Sequence, residues 1–282
     1  PRSTPKPSAA ASDVYKRQDI WNHGDGWRVG ETITTPSITK GISQDEESGN
    51  DYLSIDEVRQ VLENVVATIG RKIDIIYFDA CLMQMVEVAY ELRYIVNYIV
   101  ASEDLVPGGG ANYIAALEKI KDLDNTSALN LALELYNAYK EEYFYIFETT
   151  FSVIDNSGID SLVQALNTFA VNLTNQSITA ISNARYNTRS LAYTNNGIYY
   201  YADLYSFAQN MQTVPGAIDV MNSIEQIVKA NYYNTLPATY GISIYFPEDR
   251  TVVETSYINN LPGLDFLNNC KWRDFIEWYK NQ

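Results

Sequence analysis

Ile73-Asp74-Ile75-Ile76-Tyr77-Phe78-Asp79-Ala80-Cys81 is a short, mostly apolar, β-branched run that ends on an acid and a thiol. Such a run suits a strand in a sheet covered on both faces, where every side chain meets a core. Upstream, Ser54-Ile55-Asp56-Glu57 opens a helix with a serine cap and an acid three residues on, followed by Val58, Val61, Leu62, Val65 and Val66 on one face. Gly70 closes that helix. Downstream the pattern predicts a helix over 83–94, a strand over 98–102, the turn Pro107-Gly108-Gly109-Gly110, and a helix from Asn112 to about Ile120. Strand alternating with helix implies an α/β fold with a parallel sheet and right-handed crossovers. In such sheets, sites form at the carboxyl ends of strands, and Cys81 stands at one.

A second strand end carries the one histidine among 282 residues. His23 lies in Trp21-Asn22-His23-Gly24-Asp25-Gly26-Trp27, after a strand predicted over 19–22. Cys81 is one of two cysteines, and a sole histidine with a strand-end thiol suggests a thiol-dependent hydrolase. A third strand end carries Glu103-Asp104. These groups converge on one rim if their strands are neighbours; spacing alone does not establish that.

Composition narrows the classes. The net charge of −15 and the absence of a basic stripe exclude nucleic acid as a partner, and the acidity reads as solubility. An apolar content of 46% with 13% aromatics marks an ordered globular chain, long enough for one large domain or two small ones. No apolar run is long enough to span a membrane. Two separated cysteines do not make a disulfide scaffold, and with one histidine no metal spacing exists. Tyrosine-rich segments such as Tyr199-Tyr200-Tyr201 read as half-buried rings with their hydroxyls at the surface.

The amino end, residues 1–18, is polar, basic and aperiodic; residues 8–18 resemble translated sequencing-adapter sequence, and the segment is set apart as non-native. Residues 28–51 are polar and without periodicity, too long for a simple connector, and are expected to form a functional or cleavable loop. The second half is richer in helix: 127–142, 159–173, 202–212, 217–232 and 272–279, with strands at 149–154 and 241–246.

Trp21-Asn22-His23-Gly24-x-Gly26-Trp27, Phe78-Asp79-Ala80-Cys81-Leu82-Met83, Glu87-x-Ala89-Tyr90-Glu91-Leu92 and Ala101-Ser102-Glu103 together resemble the clostripain family of cysteine peptidases, of the caspase, legumain and gingipain clan. Asp203-Leu204-Tyr205-x-Phe207-Ala208 and Gly241-Ile242-Ser243-Ile244-Tyr245-Phe246-Pro247 extend the resemblance almost to the end. It implies a caspase-like three-layer sandwich: a mostly parallel sheet with flanking helices, its early strands missing, and a helix-rich C-terminal half. The peptidase domain would cover 19–282, with a catalytic part 19–123 and a helix-rich part 124–282.

The resemblance also implies roles. Cys81 would be the nucleophile that forms an acyl-enzyme, and His23 its dyad partner. The backbone N–H groups of Gly24 and Cys81 would hold the oxyanion. The family cleaves after Arg or Lys, so a pocket carboxylate is needed; Asp79 is the first candidate, with Glu103 or Asp104 second. Asp79 could instead cap a helix beginning at Leu82. Glu87 and Glu91 read as solvated or ion-paired helix faces, and Cys270 as structural. Activation in the family commonly follows cleavage between the two motifs; Lys40 is the candidate processing site, with Arg28 and Arg71-Lys72 behind it. Asp25 departs from the small residue frequent at that position.

No cofactor is required on this reading. Calcium dependence occurs in the family and stays open, although no EF-hand-type loop is visible. The expected partners are polypeptides with basic residues, cut by a monomer that is secreted or in the bacterial cell envelope. Two rivals stand beside the protease: a catalytically silent, peptidase-like binding module, and a transpeptidase or ligase sharing the acyl-enzyme.

Overall fold

The computed structural model describes residues 17–28, 42–45, 51–121, 127–145, 149–193, 197–234 and 237–282. In chain order the elements are β1 (Arg17–Trp21), β2 (Ile42–Asp45), β3 (Asp51–Leu53), α1 (Ile55–Ile69), β4 (Ile73–Asp79), α2 (Val86–Glu91), β5 (Val96–Ala101), α3 (Tyr113–Ile120), α4 (Ala128–Tyr143), β6 (Thr150–Asp155), α5 (Ile159–Leu173), α6 (Ile178–Tyr186), β7 (Ser190–Tyr193), β8 (Tyr199–Asp203), α7 (Leu204–Asn210), α8 (Ala217–Ile227), β9 (Val228–Tyr233), β10 (Ser243–Tyr245), α9 (Thr255–Ile258), α10 (Asp265–Asn269) and α11 (Trp272–Lys280).

The apolar run Ile73–Asp79 is β4, and its alternation builds the three layers. Ile76 and Phe78 face the larger core, with α1, α2 and α5, while Ile75 and Tyr77 face the smaller one, with α3 and α4. Side chains two apart share a face of a strand, so one apolar run serves both cores. The main sheet has the order β1-β4-β5-β6-β9. β1, β4 and β5 pair in parallel, whereas β6 is antiparallel to both β5 and β9. The sheet is thus mixed, although only β6 runs against the other four strands. A second sheet, β10-β8-β7, joins it through a bridge between Met85 and Ser243.

Three sequence expectations need correction. The helix predicted over 83–94 is confined to α2, because a turn at Leu82, with a φ of +63°, leads into non-helical residues 83–85: the Gln84 N–H donates to the Ser102 carbonyl at 2.9 Å, and the Ser243 N–H donates to the Gln84 carbonyl at 2.9 Å. Those bonds tie two sheets together and override helical propensity. The segment 217–232 splits into α8 and β9, since Val228 to Tyr233 finds a partner in β6 that periodicity cannot reveal. The helix expected from 202 begins at Leu204, because Ala202 and Asp203 end a strand flanked on both sides; the Asp203 carboxylate then caps the helix through the Ser206 N–H at 2.7 Å. Local periodicity does not mark α6 or β7.

Glu87 and Glu91 are also not solvated. Both are buried in α2: Glu87 accepts the Tyr245 N–H at 2.9 Å and the Tyr257 hydroxyl at 3.0 Å, and Glu91 accepts the Phe266 N–H at 2.9 Å. Glu91 keeps an ion pair with Arg59 at 3.5 Å. These carboxylates staple the C-terminal segments onto α2, a use that their spacing on a helix does not display. Burial pushes Glu87 up to about 7 and Glu91 up to about 6, against the pull of those hydrogen bonds.

Candidate active site

Strand register brings the two motifs together. β1 and β4 pair in parallel with Trp21 opposite Asp79, so His23 and Cys81 each stand two residues beyond a matched pair. The chain leaves both strand ends in strained conformations: Asn22, before His23, has a φ of +105°, and Leu82, after Cys81, has +63°. Non-glycine residues occupy that region at a cost, typically where a site requires it. Gly24 then passes directly over Cys81. A Cβ at Gly24 would collide with the Cys81 carbonyl oxygen and stand 3.0 Å from both the Cys81 nitrogen and the Ala80 Cβ. Glycine is obligatory there because two backbones touch.

His23 is exposed, and its backbone is held: its carbonyl accepts the Ser43 N–H at 3.0 Å, and Gly24 bridges to Ile42. The turn after it is buried. Trp27 packs edge-on against Tyr245 and Tyr257, with centroids 5.0 and 4.8 Å away. Arg28 is 4% exposed, paired with Glu254 at 2.6 Å and Asp25 at 3.4 Å, and it lies 4.1 Å from the Tyr200 ring centroid. Arg28 is therefore overturned as a processing candidate, because a protease cannot engage a buried, ion-paired side chain. Lys40 lies outside the described residues.

Cys81 is half-buried, and its Sγ accepts the Val106 N–H at 3.2 Å. Burial pushes the thiol pKa up, the Val106 N–H pulls it back, and the charges of Asp104 and Asp25 add to the rise. Val106 has no chemical signature of its own, and sequence reasoning missed it. Cys270 is buried away from solvent and pushed up to about 12 by desolvation, as an inert core thiol should be.

Asp79 does not cap a helix. No helix begins at Leu82; instead one carboxylate oxygen, Oδ2, accepts the Ala111 N–H at 2.7 Å and the Tyr113 hydroxyl at 3.0 Å. Its other oxygen, Oδ1, is buried and has no hydrogen-bond partner among the described residues. Gly110, at φ +65°, lets the turn close on this acid; a Cβ there would stand 2.8 Å from Oδ2. Glu103 is wholly buried. It accepts the Gly241 N–H at 2.9 Å and faces Asp203, and burial followed by that like charge drives its pKa well up. Asp104 lies nearer the thiol: its carbonyl accepts the Leu82 N–H at 3.1 Å, and its carboxylate is 3.6 Å from Arg189. Among the described residues no group of three or more His, Cys, Asp or Glu side chains could hold a metal ion.

The model of the clostripain family matches residues 19–279 of this chain. The chain belongs to the clostripain family. It is a cysteine protease of that family, and solved structures share its caspase-like α/β fold. A secreted C11 cysteine protease from Bacteroides thetaiotaomicron, in complex with an irreversible peptide inhibitor, is 18% identical, with a TM-score of 0.67 over 92% of this chain and 72% of that one. An inactive zymogen C11 protease from Parabacteroides distasonis is 18% identical, with a TM-score of 0.59 over 94% and 69%. A clostripain from B. thetaiotaomicron ATCC 29148, in complex with the peptide inhibitor BTN-VLTK-AOMK, is 14% identical, with a TM-score of 0.61 over 80% and 98%. No curated protein matches the chain significantly. Among the described residues no helix is long and apolar enough to cross a membrane.

Proposed function

We propose that this clostripain-family protease cleaves peptide bonds after arginine or lysine through a Cys81–His23 dyad. The observation that carries the reading is the contact of the Gly24 and Cys81 backbones at the ends of paired parallel strands. It puts the sole histidine and a partly accessible thiol at one rim.

On this reading the Cys81 thiol passes its proton to His23 as the sulfur attacks the scissile carbonyl carbon, and the N–H groups of Gly24 and Cys81 receive the oxyanion. The C–N bond breaks as His23 gives a proton to the leaving amine. Water then cleaves the thioester, releasing the new carboxyl end and restoring the thiol. The pocket reading rests on Asp79, whose buried Oδ1, unpartnered among the described residues, suits a guanidinium or ammonium that brings its own donors. Asp104 is the second acid; Glu103, committed to Gly241 and Asp203, supports the sheet junction instead. The related clostripain's inhibitor carries the sequence VLTK, which ends in lysine.

Activation by cleavage after Lys40 fits a site whose following segment, β2, is fastened to His23. Active protein is then nicked after Lys40 while Cys81→Ala stays intact; equal nicking of both overturns self-processing. A monomer exported to the cell envelope or beyond is the expected working form. The deciding experiment pairs fluorogenic peptides ending in Arg, Lys, Asn or Asp with wild type, Cys81→Ala and His23→Ala. Cleavage after Arg or Lys by wild type alone supports the reading. Preference for Asn or Asp overturns the basic pocket, and no cleavage at all favours a peptide-binding module. Capture of an added amine in the product would mark a transpeptidase.

A further inference from the structure

The turn after His23 contains an acid that neither the dyad nor the pocket uses. Asp25 is 5% exposed, and groups from several described elements face it. From its own turn, Arg28 contributes Nη1 at 3.4 Å and its backbone N–H, which donates to the Asp25 carbonyl at 3.4 Å. From β8, the Tyr201 hydroxyl donates to Oδ1 at 3.1 Å. Glu254, just before α9, shares Arg28 with it at 2.6 Å. Tyr200 and Tyr201 line the same guanidinium, with ring centroids 4.1 and 5.4 Å away. Three parts of the chain, the turn itself, β8 and the segment before α9, thus meet at one buried carboxyl, one residue from the glycine that presses on Cys81.

We infer that Asp25 is a positioning residue for the reaction: held by Tyr201 and Arg28, its carboxylate bolts the turn that follows His23 to the second sheet and keeps the Gly24 backbone seated on Cys81. The inference rests on the reading of His23 and Cys81 as the dyad. Pairing of β1 with β4 ends at Trp21; beyond it the Ser43 bond and the Ile42 bridge hold one side of the turn, and Asp25 holds the other. A buried charge with directed partners resists such motion more sharply than apolar packing, because a shifted carboxylate loses its hydrogen bonds without gaining water. The same charge reaches the thiol. Asp25 disfavours the Cys81 thiolate, alongside Asp104. Burial pushes Asp25 itself up to about 6, with Arg28 and Tyr201 pulling it down and Glu254 raising it, so it is ionised where a thiol titrates.

Two variants separate position from charge. Asp25→Asn keeps an acceptor for Tyr201 and removes the charge; Tyr201→Phe keeps the charge and removes the bond. Both are read by kcat and KM on a peptide ending in arginine, and by the pH dependence of Cys81 alkylation with iodoacetamide. Asp25→Asn is expected to move the alkylation midpoint to lower pH, since a carboxylate that opposes the thiolate is gone. Tyr201→Phe is expected to lower kcat by about threefold or more with KM nearly unchanged, as loss of one buried hydrogen bond allows. Should Asp25→Asn fail to fold, Tyr201→Phe alone decides. Unchanged kcat in Tyr201→Phe, or an unmoved midpoint in a folded Asp25→Asn, overturns the inference. Failure of the dyad reading looks different: Cys81→Ala would then retain activity.

Discussion

Gly24 lies on Cys81 so closely that a methyl group at residue 24 would strike the Cys81 carbonyl oxygen. Gly24→Ala is therefore expected to push the His23 turn off the thiol. Oxyanion donors are worth about 10²–10³-fold in rate, so kcat is expected to fall by about that much. Circular dichroism showing a native fold with wild-type activity would remove the close contact from the mechanism.

Asp79→Asn keeps an acceptor for the Ala111 N–H and for the Tyr113 hydroxyl, so the turn over it is expected to persist. What is lost is the charge that meets a basic side chain, a loss of about 2–5 kcal/mol for a desolvated pair. kcat/KM for Arg and Lys peptides is expected to drop by about 30-fold or more, with little change for peptides carrying a neutral residue there. An equal drop for both peptide classes would assign Asp79 to structure.

Glu87 sets a pH dependence of stability. Its folded value, pushed up to about 7, exceeds the ordinary 4.5, so the folded state holds the proton more tightly than the unfolded state. Its contribution is complete below about 4.5 and is lost as pH rises through about 7. Urea midpoints are expected to fall from pH 5 to pH 8, and Glu87→Gln to flatten that fall. A slope identical in the two proteins would show that another buried acid dominates.

The bond after Arg28 is expected to resist trypsin in the folded protein, because Arg28 is buried and ion-paired. Arg28→Ala leaves Asp25 and Glu254 facing each other uncompensated, and loss of one partner of a buried pair costs about 3–5 kcal/mol. Thermal melts and mass spectrometry of tryptic fragments check both. Early cleavage after Arg28 in native protein would contradict its placement.

Iodoacetamide is expected to modify one thiol of two in the native chain. Cys81 is partly accessible, whereas Cys270 is buried and raised to about 12. Peptide mapping before and after denaturation distinguishes them, and native labelling of Cys270 would show that the core opens.

Much of this protein could be read from local pattern. β4 with its terminal thiol, the serine-capped α1, the glycine-closed turn near Asp79 and the His-Gly motif are all short-range signals, since caps, turns and strand alternation depend on residues a few positions apart. Those signals, together with the order of the motifs, were sufficient for the α/β class and the two candidate catalytic residues.

Tertiary structure decided the rest, because it concerns which distant residues share a boundary. The parallel register of β1 and β4 aligns His23 with Cys81 across 58 positions of chain, and no spacing encodes it. Glu87, Glu91 and Arg28 resembled surface charges until Tyr245, Phe266 and Glu254 closed over them. β9 left the helix pattern because β6 offered it a strand partner. Periodicity records how a segment meets its own neighbours in sequence. The partner that buries a charge, pairs a strand or seats Gly24 on Cys81 comes from elsewhere in the chain, and only the fold brings it there.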